Sequence, residues 1–275
     1  MIESILNYQY MQNAIIATFL ASIICGIIGV IIVEKKLVMM SGGIAHTAYG
    51  GVGLGYLLGF EPLLGALGFS VAAAFGIGFI NRSKKTASDI IIALFWSLGM
   101  ASGIMFVGMM PSYPPDMNSY LFGNVLSVTK FDILLTVITA GIVLLMAISF
   151  FNDIKAYMFD EEFATVTGIK TKIIEYGLLI LIAISVVVLI RVAGIILILA
   201  LLTAPAAAAG LFSKNLKNRM VFSSILCFVY CLIGLTFSYY FDLPAGAMIV
   251  IVAVTVYFIT YIFQLIRKKI QKKSN

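Results

Sequence analysis

Nine stretches of this chain, each 15 to 22 residues long, contain no Asp, Glu, Lys or Arg: Ala14–Val33, Ile44–Phe60, Leu63–Ile80, Ile90–Met110, Ile133–Phe151, Tyr176–Ile190, Val192–Phe212, Met220–Phe241 and Ala245–Ile266. A helix needs about 20 residues to cross the hydrocarbon of a bilayer. The runs are continuously apolar rather than alternating, which excludes a closed barrel. Only 11% of the 275 residues are charged, where a soluble domain carries about a quarter. The expected fold is therefore all-α, a polytopic membrane bundle of about nine spans, forming one domain over residues 1–275. The run Tyr176–Ile190 is the shortest, and it is separated from the next only by Arg191.

The basic residues orient the bundle. Placing the N-terminus outside puts sixteen of the 18 Lys and Arg residues in cytoplasmic segments and leaves Lys130 and Arg191 outside. The positive-inside rule selects that arrangement, with a cytoplasmic C-terminus. The same rule accounts for the basic tail Arg267–Lys273, so no nucleic-acid partner is expected. The start, MIESILNYQY, lacks the basic n-region and small-residue cleavage site of a signal peptide. Cys25, Cys227 and Cys231 all lie in spans, which argues against structural disulfides.

Two connections are long. The outer one, 111–132, begins with prolines and allows a short interfacial helix over Met117–Val128. The inner one, 152–172, holds a well-capped helix over Glu161–Thr167. Asp160 is its N-cap, Glu161 and Glu162 occupy its first turn, Gly168 stops it, and Phe163, Ala164 and Val166 are its apolar residues. So short a helix has little reason to form alone. It reads either as a docking element for a cytoplasmic partner or as a capped loop on the headgroups. The second span is rich in glycine, including Gly42, Gly50, Gly51, Gly55 and Gly59. Gly51, Gly55 and Gly59 share a face on which another backbone can approach closely, as tight packing or as the lining of a pathway. Pro205 is expected to kink the seventh span.

His46 is the only histidine and falls near the start of the second span. Intramembrane ionisable groups are functional candidates by default, and imidazole is a common ligand of transition metals. The bland reading is a neutral ring bonded to a carbonyl. Cys227 and Cys231, spaced i, i+4, are thiol candidates for a soft metal, against the commoner role of small buried hydrophobes. Met39 and Met40, near His46, read as packing. No set of Ser, His and Asp and no paired carboxylates occur in the spans, which disfavours an intramembrane hydrolase. No G-x-x-x-x-G-K-[ST] loop is present, so any ATP hydrolysis must come from a partner, and the chain is expected not to be an enzyme.

LVMMSGGIAHTAYGGVGLGYLLG (Leu37–Gly59), DMNSYLFGNVL (Asp116–Leu126), FDEEFATVTGI (Phe159–Ile169), GIILILALLTAPAAAAGLF (Gly194–Phe212) and DLPAGAMIVI (Asp242–Ile251) together resemble the membrane subunit of zinc/manganese-type metal-ion ABC transporters. The resemblance covers nearly the whole chain. It implies two permease copies around a pathway, two ATP-binding subunits docked inside, and an extracytoplasmic metal-binding protein outside. It places the chain in a prokaryotic plasma membrane, with no permanent cofactor and a transient metal cargo. Asp160–Gly168 becomes the coupling segment, and Asp89 matches an acidic position at the start of the fourth helix. The family often has an Asp four residues before this His; here that position is Gly42. The expectation is an importer permease for a divalent transition metal, zinc first and manganese second. A permease for a metal chelate or corrinoid stays open, as does a secondary transporter, although the latter would want acids in mid-membrane.

Overall fold

A computed structural model describes residues 7–82, 88–111, 118–123 and 125–274. Its elements are α1 (Gln9–Glu34), α2 (Val38–Leu58), α3 (Pro62–Arg82), α4 (Ser88–Gly108), α5 (Asn118–Phe122), a 3-10 turn (Val125–Ser127), α6 (Lys130–Ser149), α7 (Phe151–Phe159), α8 (Glu161–Val166), α9 (Thr171–Phe212), α10 (Leu216–Phe241) and α11 (Ala245–Ser274). The described residues are helical with no strand, as the charge-free runs require.

Among the described residues, seven helices are long and apolar enough to cross a membrane: α1, α3, α4, α6, α9, α10 and α11. The nine expected runs differ from these seven at two places. α2 has 21 residues, in which glycines stand among Ser41, His46, Thr47, Tyr49 and Tyr56. α9 is a single 42-residue element joining two of the expected runs. Unbroken, it would be about 63 Å long at 1.5 Å per residue, roughly twice the thickness of a hydrocarbon core.

It is not unbroken. Gly194 has non-helical backbone angles (φ 79°, ψ 161°). Near the start of α9, Glu175 pairs with Arg82, which also reaches Glu161, itself paired with Lys35 at the end of α1. Near the other end, Gly210 lies against the Arg219 guanidinium, and Arg219 pairs with Glu34. Both ends of α9 therefore meet the same end of α1. Its middle meets the opposite end, where Val192 clusters with Ala17 and Val128. α9 folds back on itself at Gly194. Gly123 seals this bend: a Cβ on Gly123 would stand 2.1 Å from the Ala193 carbonyl oxygen, and one on Gly194 would stand 2.2 Å from the Gly123 nitrogen. Both glycines have positive φ, so this contact is closed to any side chain.

The ion pairs fall into two layers. One holds Lys35, Arg82, Glu161, Glu175, Glu34 and Arg219; the other holds Arg191 with Asp132 and Glu61. Between the layers, α1 and α9 are mostly buried, whereas α4, α6 and α11 turn large apolar side chains such as Leu98, Leu145 and Phe263 outward. Such a surface is covered by lipid or by another membrane helix.

The structure refines several local expectations. Pro205 lies inside the second arm of α9, and the one residue of α9 with non-helical backbone angles is Gly194. The outer segment is not one helix over Met117–Val128: α5 and the 3-10 turn flank Gly123, while residues 112–117 and Asn124, with Asp116 and Met117 among them, lie outside the described residues. The inner connection holds a second helix, α7, which buries Ile154 and Tyr157.

Candidate functional site

His46 lies on α2 where α4 crosses it at backbone contact. A Cβ on Gly99 would stand 2.4 Å from the Thr47 Cα and 3.0 Å from the His46 carbonyl oxygen. Thr47 ties the two helices: its hydroxyl donates to the Gly43 carbonyl at 2.7 Å and lies 3.1 Å from the Phe95 carbonyl. On this pedestal the His46 ring stacks on Trp96, with centroids 3.9 Å apart and planes 13° from parallel. His46 Nδ1 stands 3.5 Å from the Met100 sulfur. Trp96 and Met100 are one turn apart on α4 and so present an aromatic face and a thioether to one imidazole. The same Trp96 ring is 3.2 Å from where a Cβ on Gly42 would be, and Leu199 follows at 3.5 Å. The ring thus lies over both the Gly42 and His46 turns. Of the nearby methionines, Met40 is buried and Met39 exposed.

The glycines of α2 serve different neighbours. A Cβ on Gly51 would stand 2.0 Å from the Gly65 carbonyl oxygen, and one on Gly55 would stand 2.6 Å from the Pro62 Cα, so both face α3. Gly50 and Gly53 face Gly99 and Gly103 of α4. Gly59 does not join the Gly51–Gly55 face. It has φ +74° with nothing within 4 Å, and it terminates the helix as a left-handed cap.

Cys25, Cys227 and Cys231 are buried between α1 and α10, away from the α2–α4 seam that holds His46. The structure does not bring them to the histidine. Among the described residues, no group of three or more His, Cys, Asp or Glu side chains is placed to hold an ion. Pro205 is buried in the second arm of α9, a stretch in which the Leu202 carbonyl would stand 2.2 Å from a Cβ on Gly29 of α1.

The other candidate surface is the end of the bundle around α8. Asp160 caps this helix, accepting from the Phe163 N–H at 2.9 Å. Gly168 leaves it with φ +87°. Ala164 is fully buried and holds α8 to the bundle, whereas Phe159, Phe163 and Val166 are 67%, 62% and 87% exposed. Glu162 is exposed beside them. Glu161 points the other way, 3.9 Å from the Lys35 ammonium and 3.3 Å from the Arg82 guanidinium. Lys35 also lies 3.7 Å over the Tyr157 ring and donates to the Tyr157 carbonyl. Burial pushes the Lys35 ammonium below its ordinary value, with Glu161 and Glu175 pulling it back up. Burial also raises the Tyr157 phenol. In the sequence Lys35 and Arg82 are legible only among the orienting charges, and no local spacing singles out Tyr157, Glu175, Trp96 or Met100. Arg82 and Glu175 do flank runs that meet the same membrane face, which was the available signal.

Comparison with known proteins adds to this geometry. The family model described as the ABC 3 transport family matches residues 7–264. An uncharacterized membrane protein of Synechocystis is 39% identical, over 94% of this chain and 92% of its own. The manganese transport system membrane protein MntC of Listeria monocytogenes is 34% identical, over 95% and 93%. Among solved structures, PsaBC from Streptococcus pneumoniae in complex with Fab superposes with a TM-score of 0.86 at 31% identity, covering 94% of each chain.

Proposed function

The chain belongs to the ABC 3 transport family and is a multi-pass plasma-membrane permease, and from that premise we propose that it carries a divalent transition metal inward, zinc ahead of manganese. The observation that carries the metal order is the His46 niche. It offers an imidazole and a thioether, and Gly42 stands where a carboxylate would project from the same face. Nitrogen and sulfur donors favour zinc, whereas manganese prefers carboxylate and carbonyl oxygen. The manganese system to which the MntC relative belongs is the counterweight, and the experiment below decides between them.

In this reading the N-terminus is outside, α2 and both arms of α9 each cross the membrane, and two copies enclose the pathway. Two ATP-binding subunits dock on Phe159, Glu162, Phe163 and Val166, the exposed face of α8. A metal-binding protein delivers at the end where α5 lies. Alternating access follows from ATP-driven closure of the docked subunits. A single imidazole with a weak thioether holds an ion loosely, which suits passage rather than storage.

The test is competitive uptake of Zn, Mn and Fe into proteoliposomes holding permease, ATPase and binding protein. Wild type should take up zinc ahead of manganese. His46→Ala should lower uptake at least roughly ten-fold, the scale on which metal sites respond to loss of a supporting group, with assembly intact. Unchanged kinetics in His46→Ala would remove the histidine from the path, and manganese uptake ahead of zinc would reverse the metal order.

A further inference from the structure

α6 and α10 both pack on α1, from different sides, and leave a wedge between them. The wedge is an apolar groove of about 610 Å³. Ile23 and Ile27 of α1 form its floor, Leu144 and Ile148 of α6 one wall, and Val221 and Ile225 of α10 the other. The wall residues are open to the outside, Ile148 to 75% and Val221 and Ile225 to 53% each. Towards the Lys35–Arg219 layer the lining changes character. Lys217 and Asn152 line the groove where α6 ends and α10 begins. Lys217 is exposed, and it stands in the first turn of α10, next to a helix N-terminus whose dipole favours an anion.

We propose that this groove binds an anionic phospholipid, with an acyl chain between α6 and α10 and the headgroup phosphate on Lys217 and Asn152. Charge complementarity selects the occupant. An apolar slot that ends in a cation at the bilayer surface matches a lipid that joins a hydrocarbon chain to a negative headgroup. A second copy of the chain fits less well. Close packing of membrane helices uses rows of small residues, and here Ala147 and Ser224 are single small residues set among Leu144, Ile148, Val221 and Ile225. A two-fold contact would also set each Lys217 patch against its like-charged twin. Nothing in the transport reading requires this site, and metal uptake is not its readout.

Native mass spectrometry of the purified full-length permease tests it, with phosphatidylglycerol or phosphatidylcholine added at equal concentration. Wild type should retain phosphatidylglycerol preferentially. Lys217→Gln should lower that preference roughly five-fold, the effect of one basic residue at a membrane surface. Ile148→Trp, which fills the groove from an exposed position, should reduce retention of both lipids without changing thermal stability. Equal retention of both lipids by wild type, or unchanged retention in both variants, would overturn the site. So would disulfide cross-linking of two copies through Ile148→Cys in native membranes, because the groove would then be a subunit interface.

Discussion

Gly42 and Trp96 compete for one piece of space. The indole lies 3.2 Å from the position of a Gly42 Cβ while stacking on His46. A carboxylate at residue 42 would have to move the ring, and the moved ring would uncover the imidazole. Gly42→Asp is therefore expected to raise the ratio of manganese to zinc uptake several-fold by adding an oxygen donor one turn from His46. Competitive uptake measures it, and an unchanged ratio would mean the ion does not meet this face. His46 was legible as a candidate because it is the one histidine and lies in an apolar run. Its partners were not. Trp96 and Met100 come from α4, and the register between two packed helices is set by Gly99 and Thr47 in three dimensions, which no local spacing reveals. The cysteines show the reverse case: the i, i+4 spacing of Cys227 and Cys231 was a true helical face, but it points into the α1–α10 seam.

The α8 helix is six residues long, too short to hold itself together. Its cap, the buried Ala164 and the Glu161 clasp onto Lys35 and Arg82 give it a fixed seat. The clasp adds little stability, since Glu161 is half exposed and such pairs contribute about 1 kcal/mol at most. Its value is geometric, because it joins α8 to the ends of α1 and α3 and, through Arg82 and Glu175, to the start of α9. Arg82→Glu is expected to leave ATP hydrolysis in the reconstituted complex within about two-fold while lowering metal uptake per ATP several-fold. Adding Glu175→Arg should restore part of the ratio. Equal loss of hydrolysis and uptake in Arg82→Glu would mean the clasp only supports folding. Phe163→Asp, by contrast, should release the ATPase in a pull-down, because Phe163 faces outward. The capped helix was readable from Asp160 and Gly168. α7 was missed because its pattern, Phe151, Ile154 and Tyr157, is under two turns long and interrupted by charge. The bend at Gly194 was not legible, since a proline announces a kink by its chemistry while a glycine bend depends on what packs against it.

For the molecule as a whole, the two charged layers mark two faces, and the chain can be oriented between them. The three native cysteines are buried, so an introduced thiol is the one that an impermeant reagent meets. In intact cells Lys130→Cys should label at once, and Lys268→Cys only after permeabilisation. The opposite pattern would invert the topology. The membrane class of the fold was legible in charge placement alone, because charge in hydrocarbon is excluded so strongly. The fold-back within α9 was legible only as a lone Arg191 between two apolar runs. α9 starts three residues after Gly168 and runs without interruption to its bend against Gly123. At 1.5 Å per residue, that first arm spans about 35 Å. In the proposed transport reading, a stroke delivered to α8 would travel along a single rod to the other charged layer, and the two facing glycines would be the bearing on which it arrives. The two ends of the bundle are joined in this way within one chain, before a second copy is considered.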